Sequence, residues 1–143
     1  AQAYDPNAQI EGVLVTPMAE KGVEVIIGML RDPIFGPVLM FGLGGIFVEV
    51  LEDVAFRSLP LTLHDAQSMV DQLKAQKVLA GVRGAAGVDK QALVSLLMQV
   101  SQLVEAYPEI SELDLNPVIA YPKGHSAANY AIVDARIIVE RQS

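Results

Sequence analysis

Two short segments near the end of the chain carry oxygen-bearing side chains at spacings that suit a metal ion. Asp114 and Asn116 are separated by one residue, so both point to the same face if this segment is a strand. Asp134 lies in a second strand-like segment, and symmetric pairing about residue 125 would place residue 116 opposite residue 134. Carboxylate and amide oxygens are ligands that Mg²⁺ prefers. The residues alone leave open the alternative of an ordinary polar face on a half-exposed strand.

A second candidate is the glycine-rich loop over residues 42–45, Gly-Leu-Gly-Gly. Such a loop lets backbone N–H groups approach a phosphate. It lacks the Lys-Ser/Thr of a Walker loop and does not match GxGxxG, so a flexible turn is the simpler interpretation. Glu24, in an otherwise apolar segment, either faces solvent or is placed for a ligand hydroxyl.

Other polar residues give weaker signals. Arg31, Arg57 and Arg83 are candidate phosphate contacts, and each is equally well read as a solvated charge. His64 and His125 lie in polar, turn-like settings, where we expect a surface role. No Ser/His/Asp arrangement is visible.

The elements that must position these residues follow from hydrophobic periodicity. We predict strands over residues 12–18, 23–30, 37–41, 47–56, 110–121 and 130–139, with the second and third joined as a hairpin. Helices are predicted over residues 63–73 and 90–106, the second with Asp89 as N-cap and ended by Tyr107-Pro108. A glycine-rich loop over 78–88 connects them. Strands, then helices, then a hairpin indicate an α+β fold with a mixed or mainly antiparallel sheet.

Composition excludes several classes of protein. Of 143 residues, 52% are hydrophobic and 19% charged, which indicates one folded domain. The net charge of −7 leaves no basic face for nucleic acid, and the lack of cysteine excludes disulfides and thiol catalysis. No apolar run reaches the roughly 18 residues of a transmembrane helix. We expect a cytoplasmic protein, with no membrane or nucleic-acid partner. Because the sequence lacks an initiator Met, we expect a piece of a longer chain.

A longer pattern resembles a known family. The run GVEVIIGMLRDPIFGPVLMFGLGGIFVEVLEDVAFRSLPL, followed in order by PEISELDLNP and VDARI, is similar to the ATP-grasp segment of ADP-forming (NDP-forming) acyl-CoA synthetases, which resemble succinyl-CoA synthetase. The similarity covers about residues 11–139. It implies the C-terminal lobe of an ATP-grasp domain, an α+β fold with a mainly antiparallel sheet and two covering helices. Residues 1–10 would be a linker and residues 140–143 a tail.

The resemblance also implies roles for the candidate residues. The hinge that meets adenine would be Val15, Thr16, Pro17 and Met18, and Glu24 would bind the ribose hydroxyls. The glycine loop, with Gly44 and Gly45, would lie near the phosphates. Asn116 and Asp134 match the family's metal ligands, and Asp114 falls where the family has an acidic residue beside them. The implied cofactor is Mg²⁺, with ATP or ADP as substrate.

The implied reaction converts acyl-CoA, ADP and phosphate to a carboxylic acid, CoA and ATP, or the reverse, through an acyl phosphate and a phosphorylated histidine. Its implied partners are an N-terminal ATP-grasp lobe with a phosphate-binding Lys, a CoA-binding domain and a phosphohistidine domain. We assign no catalytic residue here and expect the chain alone to be inactive. The alternatives are a ligand-sensing regulatory module of a protein lysine acetyltransferase with a synthetase-like region, and a structural interaction domain.

Overall fold

The computed structural model of this chain describes residues 12–45, 53–74, 76–81, 86–125 and 128–140. Within these ranges one six-stranded antiparallel sheet is combined with three helices, which confirms the α+β class. The strands are β1 Val23–Asp32, β2 Gly36–Leu43, β3 Val54–Ser58, β4 Ile110–Ala120, β5 Tyr130–Ile132 and β6 Ala135–Val139. The helices are α1 Leu63–Gln72, α2 Gln76–Ala80 and α3 Lys90–Ala106.

Strands β1 and β2 form the predicted hairpin, extended by a few residues beyond the predicted bounds. Asp32 organises its turn, because Asp32 Oδ1 accepts hydrogen bonds from the backbone N–H of Ile34 at 2.7 Å and of Phe35 at 2.8 Å. These bonds, the one from Phe35 first, hold the pKa of Asp32 below its ordinary value. Gly36 then adopts a φ of 72°, which an L side chain rarely tolerates.

Strand β4 occupies the middle of the sheet and positions the candidate metal residues. The strand order is β3-β2-β1-β4-β5. Strand β6 pairs with the first half of β4, and β5 pairs with its second half. The predicted strand over 130–139 is therefore two short strands interrupted at Val133 and Asp134. Its predicted register is confirmed, since Val118 faces Ile132 and Asp114 faces Arg136, both symmetric about residue 125.

A bulge in β4 decides which side chains face which way. Val25 faces Val118 and Ile27 faces Leu115, so Asn116 and Pro117 together lie opposite a single residue of β1. Proline has no N–H for a regular ladder, which makes it compatible with a bulge. Before the bulge the odd-numbered residues Leu113 and Leu115 are buried, and after it the even-numbered residues Val118 and Ala120 are buried.

The two longer helices begin at capping residues. Thr62 and Asp65 form a capping box at α1: Thr62 Oγ1 accepts from the Asp65 N–H, and Asp65 Oδ2 accepts from the Thr62 N–H. The Thr62 hydroxyl and then its N–H lower the pKa of Asp65. Asp89 caps α3 by accepting from the Ala92 N–H at 3.2 Å, as predicted. Helix α2 occupies the start of the segment predicted to be a loop.

One face of the sheet and the helices share a single apolar core. Val25, Ile27 and Met29 of β1 are buried with the apolar stripes of α1 and α3. Among the described residues no helix is long and apolar enough to cross a membrane.

The predicted strand over residues 12–18 is wrong. This segment has no regular secondary structure, and Val13, Leu14 and Met18 are highly exposed. Both edges of β1 are occupied, by β2 and β4, so this segment cannot form a hairpin with the strand into which it leads. The strand predicted over 47–56 lies largely outside the described residues, and β3 extends from Val54 to Ser58.

Candidate functional site

The second face of the sheet has no covering layer in the part of the chain that the structure describes. Side chains alternate along β1, so Glu24, Ile26 and Leu30 lie on the face opposite the core and none of them is buried. A cavity of about 490 Å³ lies on this open face, bounded by Met40, Phe56 and neighbouring polar residues. The open face is therefore where a ligand can contact the sheet.

The three oxygen-bearing residues predicted to form a metal site are brought together by strand pairing. The backbone N–H of Asn116 donates to the carbonyl oxygen of Asp134 at 3.1 Å, so these residues lie opposite each other as predicted. Asp114 lies two residues away on the open face, opposite Arg136.

The side chains of this trio keep oxygen atoms available. Asp114 and Asn116 make no side-chain hydrogen bond to any residue within the described ranges, and Asp134 Oδ1 accepts only from the Ala135 N–H, at 2.9 Å. Within those ranges there is no group of three or more His, Cys, Asp or Glu able to hold a metal ion alone. Two carboxylates and one amide suit Mg²⁺ chemically, provided that oxygens from a substrate or water complete the shell.

The glycine loop and Glu24, two separate weak signals in the sequence, are in contact. The Gly44 N–H donates to the Glu24 carbonyl oxygen at 2.8 Å. A Cβ on Gly44 would lie 3.1 Å from the Glu24 Cβ, and one on Gly45 would lie 3.0 Å from Glu24 Oε2. Gly45 also has a φ of 64°. A side chain at Gly44 would thus be crowded by Glu24, and one at Gly45 would also be strained by the positive φ.

Glu24 and Asp114 lie at different points along the length of β1 on the open face. Glu24 lies at one end, and Gly28, which pairs with Asp114, lies four residues further on, about 13 Å away at roughly 3.3 Å per residue. The exposed segment Val15, Thr16, Pro17 and Met18 leads into the Glu24 end. This arrangement suits an elongated ligand with chemically different ends.

Two of the three arginines considered as candidate phosphate contacts make hydrogen bonds within the fold instead. Arg31 Nε donates to the Ile110 carbonyl oxygen at 3.1 Å, and Arg57 Nη2 donates to Ser68 Oγ at 2.9 Å and Gln72 Oε1 at 2.8 Å. Both side chains therefore connect structural elements. Arg83 lies outside the described residues.

Arg136 is the cation that sequence reasoning missed. It lines the cavity on the open face with Glu112 and Asp114, and its Nη2 lies 3.3 Å from Glu112 Oε2. The symmetric register about residue 125 would have found it, since that register places residue 136 opposite residue 114.

His125 is not the freely solvated residue that its turn setting suggested. Its ring stacks on Tyr121 with centroids 4.3 Å apart, and its Nε2 lies 2.9 Å from Glu20 Oε2. The Tyr121 hydroxyl donates to the Glu20 carbonyl oxygen at 3.0 Å. The turn after β4 is thus tied to the segment that enters β1. His64 is exposed at the start of α1, as expected.

Comparison with known proteins gives consistent matches over nearly the whole chain. A family model described as an ATP-grasp domain matches residues 1–139. The chain is 51% identical over 141 residues to the β subunit of acetate–CoA ligase (ADP-forming) II of Pyrococcus furiosus, covering 98% of this chain and 58% of that subunit. It is 45% identical over 137 residues to 4-hydroxybutyrate–CoA ligase (ADP-forming) of Nitrosopumilus maritimus, covering 96% of this chain and 19% of the relative.

Solved structures agree with these relatives. Dinucleotide-forming acetyl-coenzyme A synthetase 1 of Candidatus Korarchaeum cryptofilum, in complex with coenzyme A, Ca-AMPCP and HgCl⁺, matches with a TM-score of 0.86 and 52% identity, over 97% of this chain and 58% of that chain. The same enzyme with coenzyme A and Mg-AMPPCP, its phosphohistidine segment pointing towards the nucleotide binding site, matches with a TM-score of 0.77 and 52% identity, over 85% of this chain and 55% of that chain.

The chain therefore spans just over half the length of the β subunit that it matches. Identity near 50% over nearly all of the chain, with the same fold, leaves no doubt about ancestry. The chain belongs to the ATP-grasp domain family and is homologous to the ADP-forming acyl-CoA ligases.

Proposed function

We propose that the open face is the nucleotide- and Mg²⁺-binding half of the ATP-grasp site of an ADP-forming acyl-CoA synthetase. The overall reaction converts acyl-CoA, ADP and phosphate to a carboxylic acid, CoA and ATP, or the reverse. The observation that carries the proposal is the pairing of Asn116 with Asp134 beside Asp114, on the one sheet face that lacks a cover among the described residues.

The Glu24 end of the open face is proposed to hold the nucleoside. Backbone groups of Val15, Thr16, Pro17 and Met18 would meet adenine, and the Glu24 carboxylate would accept hydrogen bonds from the ribose hydroxyls. The contact between Glu24 and the Gly44–Gly45 turn supports this, because it brings the glycine loop against the residue that would bind the ribose.

The Asp114 end is proposed to hold the phosphates with a metal ion. Asp114, Asn116 and Asp134 would supply its protein oxygens, a donor set that fits Mg²⁺. When bound, the ion neutralises charge on the transferring phosphoryl group. The related synthetase was solved with Mg-AMPPCP and with Ca-AMPCP, which supports a metal-bound nucleotide as the ligand class.

The remaining parts of the enzyme are proposed partners. An N-terminal ATP-grasp lobe would close over the nucleotide, and CoA-binding and phosphohistidine domains would carry the acyl and phosphoryl groups. Relatives named for acetate and for 4-hydroxybutyrate are about equally similar to this chain, at 51% and 45% identity. We infer that acyl specificity resides outside these 143 residues. The cytoplasmic location stays a prediction.

The test is a titration of the ¹⁵N-labelled chain with Mg²⁺ and ADP, followed by amide chemical shifts. Shifts are expected at Glu24, Gly44, Gly45, Asn116 and Ala135, with a dissociation constant weaker than micromolar because half of the contacts are missing. A titration in which the amide chemical shifts of these residues stay unchanged would contradict the proposal and favour a structural role for the domain.

A further inference from the structure

Arg136 occupies a position on the open face that no role yet accounts for. It faces Asp114 across the β4–β6 ladder and is the only Lys or Arg among the described residues that line the cavity. The other lining charges, Asp32, Glu112 and Asp114, are acidic. Among the described lining residues Arg136 is thus the side chain that can donate charge-assisted hydrogen bonds to an anionic group, provided that a bound cation offsets the carboxylates.

The present partner of Arg136 leaves most of its guanidinium available. One nitrogen, Nη2, contacts Glu112 Oε2 at 3.3 Å, and the two side chains are 68% and 40% exposed. Exposed ion pairs of this kind contribute little to stability. Nε and Nη1 make no hydrogen bond to any residue in the described part of the chain, so a fork of donors remains for a phosphate.

The position of Arg136 along the sheet indicates which phosphate it would meet. Arg136 and Asp134 are two residues apart, about 7 Å in an extended chain, which is within the reach of an arginine side chain. Glu24, the proposed ribose ligand, lies four residues along β1 from Gly28, the β1 residue of the Gly28–Asp114–Arg136 row, about 13 Å away. The phosphate furthest from the ribose is therefore the nearest to Arg136.

We propose that Arg136 binds the terminal phosphate of the nucleotide and that Glu112 is its resting partner, which the phosphate displaces. The inference rests on the proposed function, since it takes the nucleoside end from Glu24. Two consequences follow: Arg136 distinguishes nucleotides by the number of their phosphates, and Glu112 competes with the phosphate.

The experiment compares dissociation constants for AMP, ADP and ATP with Mg²⁺, measured by amide shifts of the 143-residue chain. Arg136→Met removes the guanidinium and keeps an unbranched stem. Lys123→Met is the matched control, because it removes one exposed charge from the turn after β4. We expect Arg136→Met to weaken ATP binding about tenfold, as for one lost charge-assisted hydrogen bond, and to leave AMP within about twofold. Lys123→Met should weaken all three equally and slightly.

Glu112 provides the second variant. Glu112→Gln should tighten ATP binding about twofold to fivefold by releasing Arg136, a gain set by the weakness of an exposed pair. The gain should vanish in the double variant with Arg136→Met. A gain that persists in the double variant would show that Glu112 acts only through general repulsion and would overturn the competition.

The outcomes separate this inference from the proposed function. If AMP, ADP and ATP shift the expected amides of the wild-type chain but Arg136→Met weakens all three equally, Arg136 forms only a surface ion pair and the inference fails alone. If the wild-type chain shows no shift at Glu24, Gly44 or Asn116 with any nucleotide, the proposed function fails and the inference with it.

Discussion

The Asn116 backbone N–H donates to the Asp134 carbonyl oxygen at 3.1 Å, so two residues 18 positions apart in the chain sit side by side. This bond lies where β4 bulges and where the returning chain passes from β5 to β6. Irregular backbone on both strands thus coincides with the candidate metal residues. Bulges commonly occur where a side chain must be re-aimed next to a functional site.

In the proposed full-length synthetase, Asn116→Ala and Asp134→Ala should each lower kcat/KM by about a hundredfold or more, because loss of one oxygen ligand of the proposed metal site would misplace the phosphoryl group. The melting temperature should change little, or rise for Asp134→Ala, since neighbouring carboxylates repel when no metal is bound. The measurements are steady-state kinetics at several Mg²⁺ concentrations and thermal melts. Glu105→Ala, an exposed acidic residue on α3, is the control. Wild-type Mg²⁺ dependence in Asp134→Ala would refute the metal assignment.

Gly44→Ala should destabilise the fold. The added Cβ would lie 3.1–3.3 Å from Glu24 Cβ and from the Glu24 backbone, which cannot rotate away. A loss of about 1–3 kcal/mol in the free energy of unfolding is expected for overpacking of this kind. Urea denaturation measures it. Gly12→Ala is the matched control, since a Cβ there would meet nothing within 4 Å. Equal stability of the two variants would show that Glu24 is not held against the loop.

The capping box of α1 should make stability depend on acid. The hydroxyl and N–H of Thr62 lower the pKa of Asp65 from its ordinary 3.8. Because the folded pKa lies below the unfolded one, the ionised carboxylate stabilises the fold fully above about pH 4, and this contribution is lost as pH falls through the folded pKa. Asp65→Asn should therefore flatten the decline in melting temperature below pH 4. The control Glu105→Gln should show a steeper decline than Asp65→Asn. Parallel declines in both variants would rule out the cap as its source.

His125→Ala should be measurably destabilising, contrary to what its surface setting in the sequence implied. It removes the stack on Tyr121 and the contact with Glu20, for an expected loss of about 0.5–1.5 kcal/mol. His125→Phe keeps the stack and loses only the Glu20 contact, so it should fall between wild type and His125→Ala. Amide hydrogen exchange over residues 20–24 should rise in both variants. Unchanged exchange would mean that the turn does not hold the segment entering β1.

Local chemistry was sufficient for much of the fold. The hairpin of β1 and β2, the cap at Asp89 and the end of α3 at Tyr107 depend on residues close together in the chain, so the sequence alone predicts them. The pairing of residue 116 with residue 134 also follows from the sequence, because a connection centred on residue 125 leaves one symmetric register.

The sequence by itself thus determined the fold class, the main elements and the neighbours Asn116 and Asp134. Only the tertiary structure decided that residues 12–18 stay outside the sheet, that Glu24 meets Gly44 and Gly45, and that Arg136 faces the open side while Arg31 and Arg57 connect other elements. The reason is physical: these outcomes depend on which sheet edges are already paired and which face the helices cover. Both conditions arise from contacts between residues far apart in the chain, which periodicity and local hydrogen bonding do not encode.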